Sequence, residues 1–151
     1  MSFWTDVPAT YDPSGNLISA AVPAPPVIDP ADVRPDIDGV AALESTRTMD
    51  RTTGAETFSF SATTRPTAAQ VESLIDTSSA DVLSQLPTNI DPIWYGAISR
   101  AIALRASWQL EASYYREAAS TGVGPASEYQ ARFVADIQAL QSLIPRATHI
   151  A

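Results

Sequence analysis

Proline placement limits this chain more than any other feature. Seven of the 12 prolines lie within the first 35 residues: Pro8, Pro13, Pro23, Pro25, Pro26, Pro30 and Pro35. Each lacks an amide donor and biases the residue before it toward extended backbone. Residues 20–27, Ala-Ala-Val-Pro-Ala-Pro-Pro-Val, read as polyproline II, and Pro13-Ser14-Gly15-Asn16 is a turn signal. Such a segment cannot build a core alone. It nevertheless carries Phe3, Trp4, Tyr11, Leu17, Ile18, Val22, Val27 and Ile28, which a free linker does not need. The expectation is an extended arm over residues 1–35 that lies on a partner surface, with Phe3, Trp4, Tyr11 and Ile18 as its anchors. Residues 36–151 then form the folded domain.

That domain reads as all-α. A short helix is expected over about 36–44, capped by Asp36 or Asp38, with Val40 and Leu43 on one face. Residues 45–49 and 56–61 read as two short strands, with Phe58 and Phe60 at period two and a hairpin loop over 50–54. Thr67-Ala68-Ala69-Gln70 has the spacing of a capping box. It opens a helix carrying Val71, Leu74, Ile75, Val82, Leu83 and Leu86, which Pro87 ends. Asp91-Pro92 opens a second helix running to about residue 120, on the order of 40 Å long. Its face includes Ile93, Trp94, Ala97, Ile98, Ala101, Ile102, Leu104, Trp108 and Tyr115. Gly122-Val123-Gly124-Pro125 breaks it. A third helix places Tyr129, Phe133, Ile137, Leu140 and Ile144 on one stripe and stops at Pro145. Short joints predict a three-helix antiparallel bundle with a small hairpin at about 45–61. Its core holds Leu74, Trp94, Ile98, Ile102, Phe133, Ile137 and Leu140.

Charge and composition exclude several functions. Nine arginines and no lysine face 17 acids in 151 residues, a net charge of −8. Residues 1–60 hold nine acids against three arginines, whereas residues 61–151 hold eight against six. The acid excess argues against a nucleic-acid-binding module, because phosphate affinity comes mainly from basic side chains. Cysteine is absent, so there is neither a disulfide nor a thiolate metal site. No apolar run has the length of a membrane span, and the start, Met-Ser-Phe-Trp-Thr-Asp, lacks the pattern of a signal peptide. A soluble, non-exported protein is expected.

Catalytic patterns are equally scarce. The lone histidine, His149, sits near the chain end, a poor place for a general base. Gly122-x-Gly124 has no third glycine and no preceding strand, so it reads as a turn between helices. If Gly39 were the sixth residue of a calcium loop, Arg34 and Ser45 would fall where carboxylates are needed. The residues therefore point to no enzyme, no metal and no cofactor. Arg100, Arg105 and Arg116 share the second helix with Glu111 and Glu117, as a salt-bridged face or as contacts to a neighbour. Tyr114 and Tyr115 are adjacent and should diverge, one of them toward another chain.

The sequence from Val40 to Thr48 and from Phe58 to Ile75 resembles the head-tail connector (adaptor) proteins of long-tailed bacteriophages of high-GC actinobacterial hosts. The matched pieces are Arg47-Thr48, Thr64-Arg65-Pro66-Thr67, Ala101-Ile102-Ala103-Leu104-Arg105-Ala106, Tyr114-Tyr115 and the closing helix through Ile144. Together they cover about residues 36–145. The resemblance implies a small helical virion protein at the head-tail interface. It would form a ring, commonly of twelve copies, under the portal protein, extend the DNA channel and dock the next neck or tail protein. It brings no catalytic residues, and DNA would pass without specific binding. The arm has no counterpart in the pattern. The other reading is a helical DNA-binding regulator or terminase-like recognition subunit, which would need a basic recognition face. Candidate interface residues are Phe3, Trp4, Tyr11, Ile18, Arg100, Arg105, Tyr114 and Tyr115.

Overall fold

The computed structural model describes residues 8–19, 26–116 and 124–144. These residues are mostly helical, with a small two-stranded antiparallel hairpin. Strands β1 (Thr10–Tyr11) and β2 (Leu17–Ser19) come first. Helices α1 (Pro30–Val33), α2 (Ile37–Leu43), α3 (Ala68–Ser84), α4 (Tyr95–Tyr114) and α5 (Pro125–Leu143) follow.

Helix α4 is the central element, packed against α3 on one side and α5 on the other. Glu111, Arg105 and Arg100 of α4 lie beside Tyr129, Phe133 and Asp136 of α5 in turn, so these two helices run antiparallel. Its sequence explains the central position. Ile98, Ala101, Ile102, Ala103, Leu104, Ala106, Ser107 and Leu110 are buried around most of its circumference, and the small ones let both neighbours approach closely. One core cluster joins Val82 and Leu86 of α3 and Ile98 and Ile102 of α4 to Phe133, Ile137 and Leu140 of α5. A second joins Val40 and Ala41 of α2 and Val71 and Ile75 of α3 to Ala103, Ala106 and Leu110 of α4. Leu74 and Trp94, expected in the core, are only half-buried at its edge.

The helix starts follow local chemistry. Thr67 Oγ1 accepts from Gln70 N at 3.3 Å, and Gln70 Oε1 accepts from Thr67 N at 2.9 Å, completing the capping box. Asp91 Oδ1 accepts from Ile93 N at 3.0 Å, but the first turn, Pro92–Trp94, is 3₁₀ and leaves Ile93 exposed. Helix α4 ends at Tyr114, earlier than expected, because Tyr115 turns out of the helical region (φ −132°, ψ 51°). Asp36 occupies the cap position of α2, yet its side chain makes no capping bond.

Two sequence expectations are corrected. The hairpin does not lie at 45–61. Ser45–Arg47 winds into a 3₁₀ turn, and a single antiparallel bridge, Met49 to Glu56, closes the loop. Threonine side chains take over from a strand ladder there. Thr48 Oγ1 donates to Ser45 O at 2.6 Å and accepts from Phe58 N at 3.1 Å, while Thr57 Oγ1 donates to Thr48 O at 2.9 Å. Phe58 adopts φ 59°, which breaks the period of two, so it is exposed while Phe60 is buried.

The second correction concerns the arm. Residues 26–35 fold onto this chain's own body and not onto a partner surface. Ile28 N donates to Thr88 O at 2.8 Å, and Ile90 N to Pro26 O at 3.3 Å. Val33 is fully buried in the first core cluster. Arg34 forms ion pairs with Glu72 and Asp76 of α3.

The true hairpin is in the arm. Asp12 organises its turn: Oδ1 accepts from Ser14 N at 2.9 Å and from Asn16 N at 2.8 Å, and Gly15 supplies the positive φ of 85°. These amide bonds hold the Asp12 carboxyl below its ordinary pKa. The register shifts between Thr10 and Tyr11, leaving Ile18 as the extra residue of a bulge.

Candidate functional site

The polar groups of the body converge at the C-terminal end of α4. Arg47, on the 3₁₀ turn after α2, grips Glu111 with both arms of its guanidinium, Nε to Oε2 at 2.9 Å and Nη2 to Oε1 at 2.7 Å. The Glu111 side chain is 1% exposed. Glu44, one turn before Arg47, is buried beside it. Burial, reinforced by the charge of Glu111, pushes the Glu44 carboxyl up to about 9, so it keeps its proton at neutral pH. Tyr129 of α5 donates its hydroxyl to Leu43 O at 2.7 Å, and burial raises its pKa. A buried fork of this kind joins α2, α4 and α5. It is built as a clamp, with the Glu44 and Glu111 side chains both buried between the elements it joins.

Outside the clamp lies a cleft of about 160 Å³, lined by Thr46, Arg47, Met49, Arg51, Arg65 and Tyr115. Arg47 stacks on the Tyr115 ring with Cζ 3.5 Å from its centroid, and Tyr115 donates its hydroxyl to Arg65 O at 2.5 Å. Arg65 Nη2 reaches Tyr114 O at 3.4 Å. Three of the nine arginines therefore share one cleft, and Glu111 neutralises only Arg47.

No protein-family model matches the chain, and comparison with curated proteins and with solved structures found no match. The site must be read from its own residues.

Tyr11 and Ile18 stand on the hairpin, 62% and 67% exposed, with Leu17 at 58%. Phe3, Trp4 and His149 lie outside the described residues. Arg100 is exposed and loosely paired with Asp136 at 3.4 Å. Arg105 is not available to a neighbour: it pairs with Asp81 at 2.8 Å and lies over the rings of Trp108 and Phe133. Tyr114 and Tyr115 both pack on the second core cluster. They do not diverge, because the helix ends between them and Tyr115 turns back.

Sequence reasoning placed Glu111 with arginines of its own helix and missed its true partner, 64 residues away. Nothing local marks that pairing. Among the described residues, no group of three or more His, Cys, Asp or Glu could hold a metal ion, and no helix is long and apolar enough to cross a membrane.

Proposed function

We propose that this chain is a self-assembling structural subunit of a phage neck, forming a ring under the portal protein and docking the next neck or tail protein. One observation carries the reading. The hairpin at 10–19 presents Tyr11, Leu17 and Ile18 to solvent, and among the described residues it makes no substantial contact with the helices of its own body. Three large apolar side chains on a projecting ribbon are the form of an element that seats on another molecule. The resemblance between residues 36 and 145 supplies the kind of assembly. The net charge of −8 suits a channel wall that repels passing duplex and does not grip it.

The test is the mass and image of the purified full chain, alone and with a portal protein. A closed ring, formed alone or on the portal, supports the proposal. A dimer that shifts duplex DNA at sub-micromolar concentration in a salt-sensitive way would replace it with the DNA-binding regulator.

A further inference from the structure

The two ends of α4 carry opposite charge. At its C-terminal end, Arg51 and Arg65 face the cleft, and among the described residues neither guanidinium has a carboxylate partner. Asp50, the nearest acid in sequence, is turned into its own loop, accepting from Thr52 N at 2.7 Å. At the other end, Asp32, Asp91 and Asp29 lie near Tyr95, whose pKa is raised first by burial and further by their charges. Asp36 lies close by, on a groove it shares with Gly96, Ser99 and Arg100 of α4, the arginine being paired with Asp136 of α5. All four aspartates are exposed and none is in an ion pair among the described residues. A helix of 20 residues separates the two ends by roughly 30 Å.

We propose that the Arg51–Arg65 cleft is a docking site for a second copy of this chain, which inserts the aspartates found around the start of its own α4. Opposite charges at opposite ends cannot meet within one molecule 30 Å apart, but they can meet between molecules. The contact is heterologous, head to tail, so repetition closes a ring or extends a filament. An acidic segment also suits the cleft better than a nucleic acid does. The surrounding protein is net negative and would repel a duplex, whereas an aspartate presents a planar carboxylate that fits a guanidinium fork. This inference rests on the reading of the chain as a self-assembling subunit.

Two full-length variants test it. Arg51→Glu with Arg65→Glu makes the cleft acidic, and Asp32→Arg with Asp36→Arg makes the other end basic. Among the described residues none of these four side chains makes an ion pair, and Arg65 alone touches a residue packed on a core cluster, through its 3.4 Å bond to Tyr114 O. Melting followed by circular dichroism verifies that both variants fold. Each alone should lose self-association by roughly tenfold or more, since like charges then oppose one another. Mixed in equal amounts they should assemble again, because each variant's altered end complements the other's. Wild-type assembly should weaken between 0.1 M and 1 M salt. If both variants assemble as the wild type does, or if the mixture stays dissociated, the cleft is not the docking site, while the self-assembly reading stands. A wild-type chain that stays monomeric, alone and with portal protein, overturns both. Loss of duplex binding in the arginine variant, with assembly intact, would reassign the cleft to phosphate.

Discussion

Residues 8–19 and 26–35 belong to the same proline-rich front of the chain, yet one stands off the body and the other is built into it. Proline content does not separate them. The difference lies in what each segment offers to the groups around it. Residues 26–28 present a donor and an acceptor to Thr88 and Ile90, which lie in the non-helical joint between α3 and α4 and have unpaired backbone groups to share. Val33 then fills the gap between α3 and α4, and Arg34 fastens the segment to Glu72 and Asp76. The hairpin satisfies its own backbone through Asp12 and Gly15, and it keeps Tyr11, Leu17 and Ile18 outward. Extended, proline-bearing sequence thus joins a fold wherever a joint supplies hydrogen-bond partners and a small apolar plug completes a core.

Several changes would break or sharpen this contrast. The largest effect should come from Val33→Asp, which buries an unpaired charge; a loss of more than about 4 kcal/mol, enough to unfold the chain, is expected in urea melts. Ile18→Asp on the hairpin should leave the same melts unchanged and weaken only assembly. Next is Glu111→Ala, which strands the Arg47 guanidinium at the clamp and should cost about 3–5 kcal/mol. Arg34→Ala removes partly exposed ion pairs and should cost at most about 1 kcal/mol. A separate effect concerns pH. Because the folded state holds the Glu44 carboxyl up to about 9, it binds a proton that the unfolded chain releases above its ordinary value of 4.5. The stabilisation tied to that proton is complete below about pH 4.5 and is lost as pH rises to about 9. Glu44→Gln should flatten this decline in a series of thermal melts between pH 5 and 9, whereas a parallel slope would place the proton elsewhere.

The helical body was legible because its signals are local. Thr67 and Gln70 cap as their spacing requires, and the stripe from Tyr129 through Leu140 is buried as its period implies. The Pro13–Asn16 turn was equally legible, although not as the turn of a hairpin. Residues 45–61 misled because threonine-rich sequence fits a strand and also fits side-chain bonding to nearby backbone, and Thr48 and Thr57 took the second course. The fold of residues 26–35 was illegible for a different reason: it depends on a joint more than 50 residues later in the chain. The clamp between Arg47 and Glu111 is hidden in the same way. Charge counts gave the acidic balance, but only the folded arrangement reveals that two arginines with no carboxylate partner among the described residues gather at one end of α4 and four aspartates at the other.

The central claim is that residues 26–35 belong to the body, whereas the hairpin at 10–19 stands off it and serves the proposed assembly. The most direct measurement compares the full chain with a chain starting at residue 26, by thermal melting and by native mass in the same buffer. The account predicts equal melting temperatures, with the high-mass assembly weakened or lost in the shortened chain. A shortened chain that unfolds, or one that assembles as fully as the intact protein, would contradict it.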